Sequence, residues 1–337
     1  MDTPGTHRRW AGGPAQGISA ALLSAVVLGL APIFGKQAIL AGTPPLSVVA
    51  LRTIAAAAGL WLILGLTRRK YLYIYPLGLL GCLAAGLING LGSLMYYSGL
   101  GRLDASLAQL LYTLYPVVLT AFARLQGHRI SGLTLFRMAL ALAAVFLLTH
   151  PGGSAADWVG AGLMLGAGVM YAAHLVISQR VLYDVPAPTV ALYILTAMAV
   201  TVSVGYGLAG APALPPTAGA WQAVALLTLV TVVSRLALFM GVKRLGGVQA
   251  ALIGLSELLV TVLCALLLLG ESLSRLQWLG AALLTASVLL VTRERRLDPP
   301  PAQPWTALLK LEAGELEQPG KRPETGDPER PRDSGIP

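Results

Sequence analysis

The chain of 337 residues is 55% hydrophobic and only 12% charged, with a net charge of +9 and a mean hydropathy of +0.71. A soluble domain of this length has too little interior to hide so much apolar surface, and the cations sit singly or in short clusters between apolar runs, which argues against a nucleic-acid surface. Cys82 and Cys264 both fall inside apolar runs, so there is no disulfide framework, metal ladder or redox CxxC pair.

Met1 to Gln16 carries Arg8 and Arg9 ahead of an apolar run from Gly17 to Leu40. That run is too long for a cleaved signal core and further spans follow, so it reads as the first membrane helix. A span needs roughly 20 mainly apolar residues. Ten stretches qualify, at about 17–40, 45–66, 75–98, 104–123, 131–149, 157–179, 187–209, 217–241, 248–270 and 274–292. Their connections are short and marked by Gly or Pro, as in Gly42-Thr-Pro-Pro45, Pro151-Gly-Gly153 and Pro212 to Pro216. Beyond Arg296 the composition turns to Pro, Glu, Lys, Asp and Gly, which predicts a mostly disordered cytoplasmic tail over 297–337. Trp305 to Leu316 is the one stretch there that suits a short surface helix.

Orientation follows from Lys and Arg. With the N-terminus inside, the inner segments hold thirteen cations (Arg8, Arg9, Arg68, Arg69, Lys70, Arg124, Arg129, Arg180, Lys243, Arg244, Arg293, Arg295, Arg296) and the outer loops only Arg102 and Arg275. Dropping one helix would reverse everything downstream, so both termini are expected in the cytoplasm.

The chain is built twice. Gly99-Leu-Gly-Arg102-Leu103 matches Gly241-Val-Lys-Arg244-Leu245, the next twenty residues overlay at a constant offset, and Gly127-His-Arg-Ile-Ser131 matches Gly270-Glu-Ser-Leu-Ser274. Five helices per copy is odd, so the second copy enters the membrane from the opposite side. The expected fold is an all-α membrane protein of ten transmembrane helices in two inverted five-helix repeats, 17–149 and 157–292, after a cytoplasmic segment 1–16. Arg102 then lies outside and its counterpart Arg244 inside, which points to a role in the local loop rather than in topology.

Ionisable groups inside spans are expensive and mark candidate sites. Glu257 is the one acidic residue deep in a predicted span, suited either to titrating a proton or contacting substrate, or to a buried structural bond. Arg235, in the preceding span, can bind that carboxylate with its two-pronged guanidinium. Lys36 lies one turn from the outer end of its span, where snorkelling is the simpler role; Arg52 lies two turns from its own, suited equally to snorkelling or to a place beside the cavity as a substrate-binding or coupling residue. Arg137 suits a headgroup anchor. His174 is mid-span, either a neutral hydrogen-bonded ring or a proton relay. Tyr112 and Tyr115 supply ring faces and hydroxyls for a cavity wall, and Pro116 is a kink, hinged or static. Tyr71, Tyr73 and Tyr75 cluster at a span end like an interfacial belt. Gly162, Gly166 and Met170, with Gly78, Gly81, Cys82, Ala85, Gly86, Asn89 and Gly90, form small-residue stripes for packing within one chain or in a homodimer. No Walker motif, HExxH, GxSxG or phosphate loop appears, so neither an enzyme nor a cofactor is expected.

The duplication, Leu51-Arg52, Leu111-Tyr-Thr-Leu-Tyr-Pro116, Gly270-Glu271 and the paired turns at 99–103 and 241–245 resemble the drug/metabolite transporter superfamily, in particular its ten-helix EamA-type exporters. The resemblance covers about 17–292 and implies movement of small organic solutes by alternating access. The sequence departs from the family pattern at Leu258, where Pro often follows the glutamate, at His128, where an acid is common, and at Arg235, where an aromatic is more usual. The expectation is a secondary transporter in the cytoplasmic membrane whose partners are a small solute, membrane lipid and a proton or exchanged solute, with no nucleic acid. A nucleotide-sugar, sugar-phosphate or lipid-linked carrier is the alternative within that class. A non-transporting membrane sensor or assembly partner is the alternative outside it.

Overall fold

The computed structural model describes residues 14–125, 157–245, 250, 253–254 and 256–290, with isolated positions between 132 and 147. The expected fifth span, the N-terminal arginines, His128, Arg129, Arg137 and the tail 297–337 lie outside the described residues or almost wholly so.

Every described element is helical: α1 (Pro14–Leu28), α2 (Ala31–Leu40), α3 (Pro45–Thr67), a 3-10 turn (Arg69–Leu72), α4 (Pro76–Leu100), α5 (Ala105–Tyr112), α6 (Tyr115–Leu125), α7 (Trp158–Asp184), α8 (Ala187–Leu208), α9 (Ala218–Leu245), α10 (Ser256–Leu268) and α11 (Arg275–Leu289). Among the described residues, six helical runs, with α1 and α2 counted together, are long and apolar enough to cross a bilayer. They hold 22 to 28 residues, or about 33–42 Å at 1.5 Å per residue against a hydrocarbon core of about 30 Å. Large apolar side chains stand out of these helices, among them Leu62, Leu66, Leu80, Val200, Leu208 and Leu229, as a protein solvated by lipid requires.

Proline opens several helices, where a missing N–H does no harm: Pro32 in α2, Pro45 in α3, Pro76 in α4 and Pro188 in α8. Glycines in the left-handed region serve the turns, Gly42 at φ +91°, Gly210 at +79° and Gly270 at +66°. Two expected spans are broken. The first parts between Leu28 and Ala31, and the fourth between Tyr112 and Tyr115, one residue ahead of Pro116. Pro116 lacks the N–H that the Tyr112 carbonyl would accept from, and it occupies the first turn of α6, where proline is tolerated.

The packing is reciprocal. α1 lies along α9, while α7 lies along α4; α3 faces α8, and α5 faces α10. The detail repeats at the helix starts. A Cβ on Gly17 would sit 2.9 Å from Leu245 Cγ, and a Cβ on Gly160 would sit 2.9 Å from Leu103 Cγ. Arg244 Nη1 donates to Gln16 Oε1 at 2.7 Å, and Arg102 Nη1 donates to Asp157 Oδ2 at 3.2 Å. The two arginines matched in sequence thus do the same local job, each holding the first helix of the other half.

The small-residue stripes bring these helices together inside the chain. Gly86 faces the backbone of α8, where an added Cβ would lie 2.7 Å from the Ile194 carbonyl oxygen, and a backbone atom cannot turn aside. Gly86→Ala is therefore expected to lower thermal stability in detergent by about 1–3 kcal/mol. Gly59→Ala, at a position with nothing within 4 Å, is expected to leave the melting temperature unchanged or raise it; equal behaviour of the two would refute the close-packing account.

Asp157 caps α7, its Oδ1 accepting from the Gly160 N–H at 2.7 Å. That N–H, and secondarily Arg102, hold its carboxyl below the ordinary range. A depressed carboxyl stabilises the fold above its unfolded value, near ~4, and that stabilisation is lost as pH falls through the folded value. Asp157→Ala is expected to cost about 1 kcal/mol at pH 7, with the difference from wild type fading on acidification of a thermal melt.

Candidate functional site

Between the halves lies a small polar cavity lined by Leu28, Ala31 and Pro32 at the first helix break, Arg52 of α3, Asn89, Gly92, Ser93, Tyr96 and Tyr97 of α4, Tyr112 of α5, Ala167 and Tyr171 of α7, Arg235 of α9 and Glu257 of α10. Its volume is about 50 Å³, above the roughly 10–15 Å³ needed to hold a water.

Each charged side chain has at least one partner in the opposite half. Arg52, 6% exposed, donates from Nη1 to Thr231 Oγ1 at 3.1 Å and from Nη2 to Ser93 Oγ at 3.3 Å, and its guanidinium carbon lies 4.6 Å from the centre of the Tyr97 ring. Its Nε has no hydrogen-bond partner. Glu257, 5% exposed, accepts from Gln109 Nε2 at 2.7 Å, and Gln109 Oε1 accepts from the Tyr96 hydroxyl at 2.9 Å.

Arg235 does not form the expected pair with Glu257. Its Nη1 faces His174 Nε2 at 3.4 Å, its Nη2 donates to Asn89 Oδ1 at 3.4 Å, and it lies 5.7 Å from the centre of the Tyr171 ring. The reason is rotational: the side chain leaves α9 toward α4 and α7, and the Gln109 amide already holds the carboxylate. His174 Nδ1 meets the Ala85 carbonyl oxygen at 3.1 Å. A carbonyl only accepts and a guanidinium only donates, so the proton sits on Nδ1 and Nε2 accepts from Arg235. That is a neutral ring with both nitrogens engaged.

The tyrosines form a continuous wall. Tyr112 meets Tyr96 edge-on at 5.0 Å and Tyr171 at 5.5 Å, while Tyr115 meets Tyr171 edge-on at 4.9 Å. Tyr112 faces the cavity, and Tyr115, 3% exposed, stands behind it. α5 is set in place at its first turn by Glu271, whose carboxylate accepts from Ala105 N at 2.7 Å and from Ser106 N at 2.9 Å and Ser106 Oγ at 2.7 Å. Lys36, expected to snorkel, instead donates to the Leu100 and Leu103 carbonyls at 3.1 and 2.7 Å, closing the turn that precedes α5. At the first break the freed Gly29 carbonyl accepts from Thr261 Oγ1 of α10 at 2.8 Å.

Arg52, Arg235, Glu257, His174 and Tyr112 therefore converge, with Tyr115 and the break at Pro116 directly behind them. Gln109, Ser93, Thr231, Tyr96, Tyr97 and Tyr171 do not stand out in the sequence, and Asn89 does so only as part of a packing stripe. A hydroxyl or amide buried at span depth was the available signal, diluted by many other such residues. Among the described residues no three His, Cys, Asp or Glu side chains converge as metal ligands.

Removing the Gln109 amide leaves the Glu257 carboxylate without this donor. Gln109→Leu is expected to cost about 1–3 kcal/mol. A double-mutant cycle with Glu257→Leu should show a coupling of about 0.5–3 kcal/mol by thermal unfolding, and strict additivity would show that the bond carries no stability.

The sequence of the EamA-like transporter family matches this chain twice, over residues 15–150 and 158–293. The uncharacterized transporter YcbK of Bacillus subtilis is 25% identical over 271 residues, covering 77% of this chain and 87% of that protein. The uncharacterized inner membrane transporter YedA of Escherichia coli K12 is 26% identical over 262 residues, 76% and 84% of the two chains. A crystal structure with 23% identity aligns at a TM-score of 0.55 over 82% of this chain and 99% of its own, a likeness of fold alone. With most of its length in the two matched stretches, and six described helical runs fit to cross a bilayer, the chain belongs to the EamA-like transporter family and is a multi-pass membrane transporter of the drug/metabolite type.

Proposed function

We propose that this chain is a secondary active transporter of the cytoplasmic membrane that exports small metabolites or amphipathic compounds by alternating access. In this reading ten helices form two inverted five-helix repeats, 17–149 and 157–292, with both termini in the cytoplasm and 297–337 as a cytoplasmic tail. The reciprocal packing supports it: a two-fold relation between halves requires that contacts made by one half on the other be returned, and α1 on α9 with α7 on α4 are such a pair.

The observation that carries the proposal is the set of hydrogen bonds crossing the cavity from one half to the other: Arg52 to Thr231, Arg235 to Asn89 and Gln109 to Glu257. These bonds tie the halves together around the cavity. A solute or proton that takes over any of these groups removes a tie, and the halves can then part on one side. Glu257 is the group suited to take up a proton, since its acceptor oxygen faces a neutral amide and needs no guanidinium partner to stay in place.

Glu257→Gln retains the shape and the Gln109 contact but cannot titrate. In proteoliposomes with an imposed pH gradient, its flux is expected to fall to that of protein-free vesicles while membrane insertion and helix content stay at wild-type levels. Undiminished flux would remove Glu257 from the coupling step.

A further inference from the structure

The cavity has a charge imbalance that selects a class of solute. Its charged lining consists of Arg52, Arg235 and Glu257, a formal sum of +1. Glu257 forms no ion pair with either arginine; the amide of Gln109 holds its Oε1 at 2.7 Å. The two guanidinium groups, 6% and 7% exposed by residue, are left with neutral partners only. For Arg235 these are the His174 ring and the Asn89 amide oxygen, both at 3.4 Å, beyond the usual 2.7–3.2 Å of a good N–H donor bond. For Arg52 they are two hydroxyls, and its Nε meets no acceptor.

A guanidinium has five N–H donors in a planar fork. Buried with weak neutral acceptors and one idle donor, it lacks the group that satisfies it best, a planar anion with two oxygens. Lys36 cannot share this task, since its ammonium is spent on the Leu100 and Leu103 carbonyls. Around the arginines stand the rings of Tyr96, Tyr97, Tyr112 and Tyr171, surfaces for a flat apolar body.

We propose that the transported solute is an organic monoanion, a carboxylate or sulfonate on a planar aromatic body, with the Arg52 fork receiving its charged head and the tyrosine rings its body. This rests on the transport reading above and narrows its cargo. One negative charge brings the lining to neutrality. A phosphate monoester, carrying about two, overshoots, and an uncompensated buried charge is costly. Taking the head also draws the Arg52 donors away from Thr231 and Ser93, which links binding to the release of α3 from α9 and α4.

Four probes of one ring size and different charge test this on the full chain in detergent by isothermal titration: benzenesulfonate, phenyl phosphate, benzyl alcohol and phenyltrimethylammonium. Benzenesulfonate is expected to bind tightest. Arg52→Gln should weaken it by about 10- to 100-fold, the loss of hydrogen bonds to a charged group, and leave benzyl alcohol unchanged, whereas Glu257→Gln should tighten it. The wild-type ranking decides the matter even if the Arg52 variant does not fold. Equal binding of all four, no binding of any, or preference for the cation or the phosphate ester overturns the proposal. Counterflow of the same probes in proteoliposomes separates the two readings. Benzenesulfonate bound but not carried would uphold the anion site and sink transport; another probe carried while benzenesulfonate stays unbound would do the reverse.

Discussion

Charge held inside an apolar slab is the constraint to which this fold is built. A carboxylate or guanidinium removed from water loses several kcal/mol of solvation unless nearby groups replace the hydrogen bonds. The chain places Arg52, Arg235 and Glu257 in one small space and supplies their partners from both halves. Had each been satisfied within its own half, the cavity would have no bonds across it, and apolar packing in lipid favours association only weakly. Instead the bonds that compensate buried charge are also the bonds that close the space between the halves.

The helix breaks belong to the same economy of polar groups. In the hydrocarbon region a backbone carbonyl freed from its helix must find another donor or face a cavity. The Gly29 carbonyl finds the Thr261 hydroxyl, while Leu28, Ala31 and Pro32 on either side of the break line the cavity. At the second break the Tyr112 carbonyl lies over Gly168, where an added Cβ would come within 3.2 Å. Glycine there allows α5 and α7 to approach, and the approach brings Tyr112 and Tyr171 together. Backbone irregularity, small residues and aromatic wall are thus parts of one arrangement.

Membership in the EamA-like family, with two matched stretches of equal length, joins the internal likeness of the sequence to the reciprocal contacts of the structure. Arg102 and Arg244 show why the likeness persists in loops. Each binds at the start of the other half's first helix, so the same residue type makes the same contact in both copies. The cavity belongs to a state in which the ties between halves are made.

The sequence by itself determined the helical membrane class, most of the span positions and the charged members of the site. Hydropathy averages over twenty residues and so survives ignorance of packing, and a charge at span depth is rare enough that Arg52, Arg235, Glu257 and His174 stood out one by one. Tertiary structure alone decided which groups meet. The direction a side chain takes around a helix axis depends on how that helix is seated against its neighbours, and here the seating is set by contacts such as Gly86 on the α8 backbone and Gly17 on Leu245. That seating turned Arg235 toward His174 and Asn89 rather than Glu257, and made the inconspicuous Gln109 the partner of the buried acid. Neutral hydroxyls and amides are tolerated at many depths, so no local pattern singles out the few that end beside a charge; only the closing of one half on the other does.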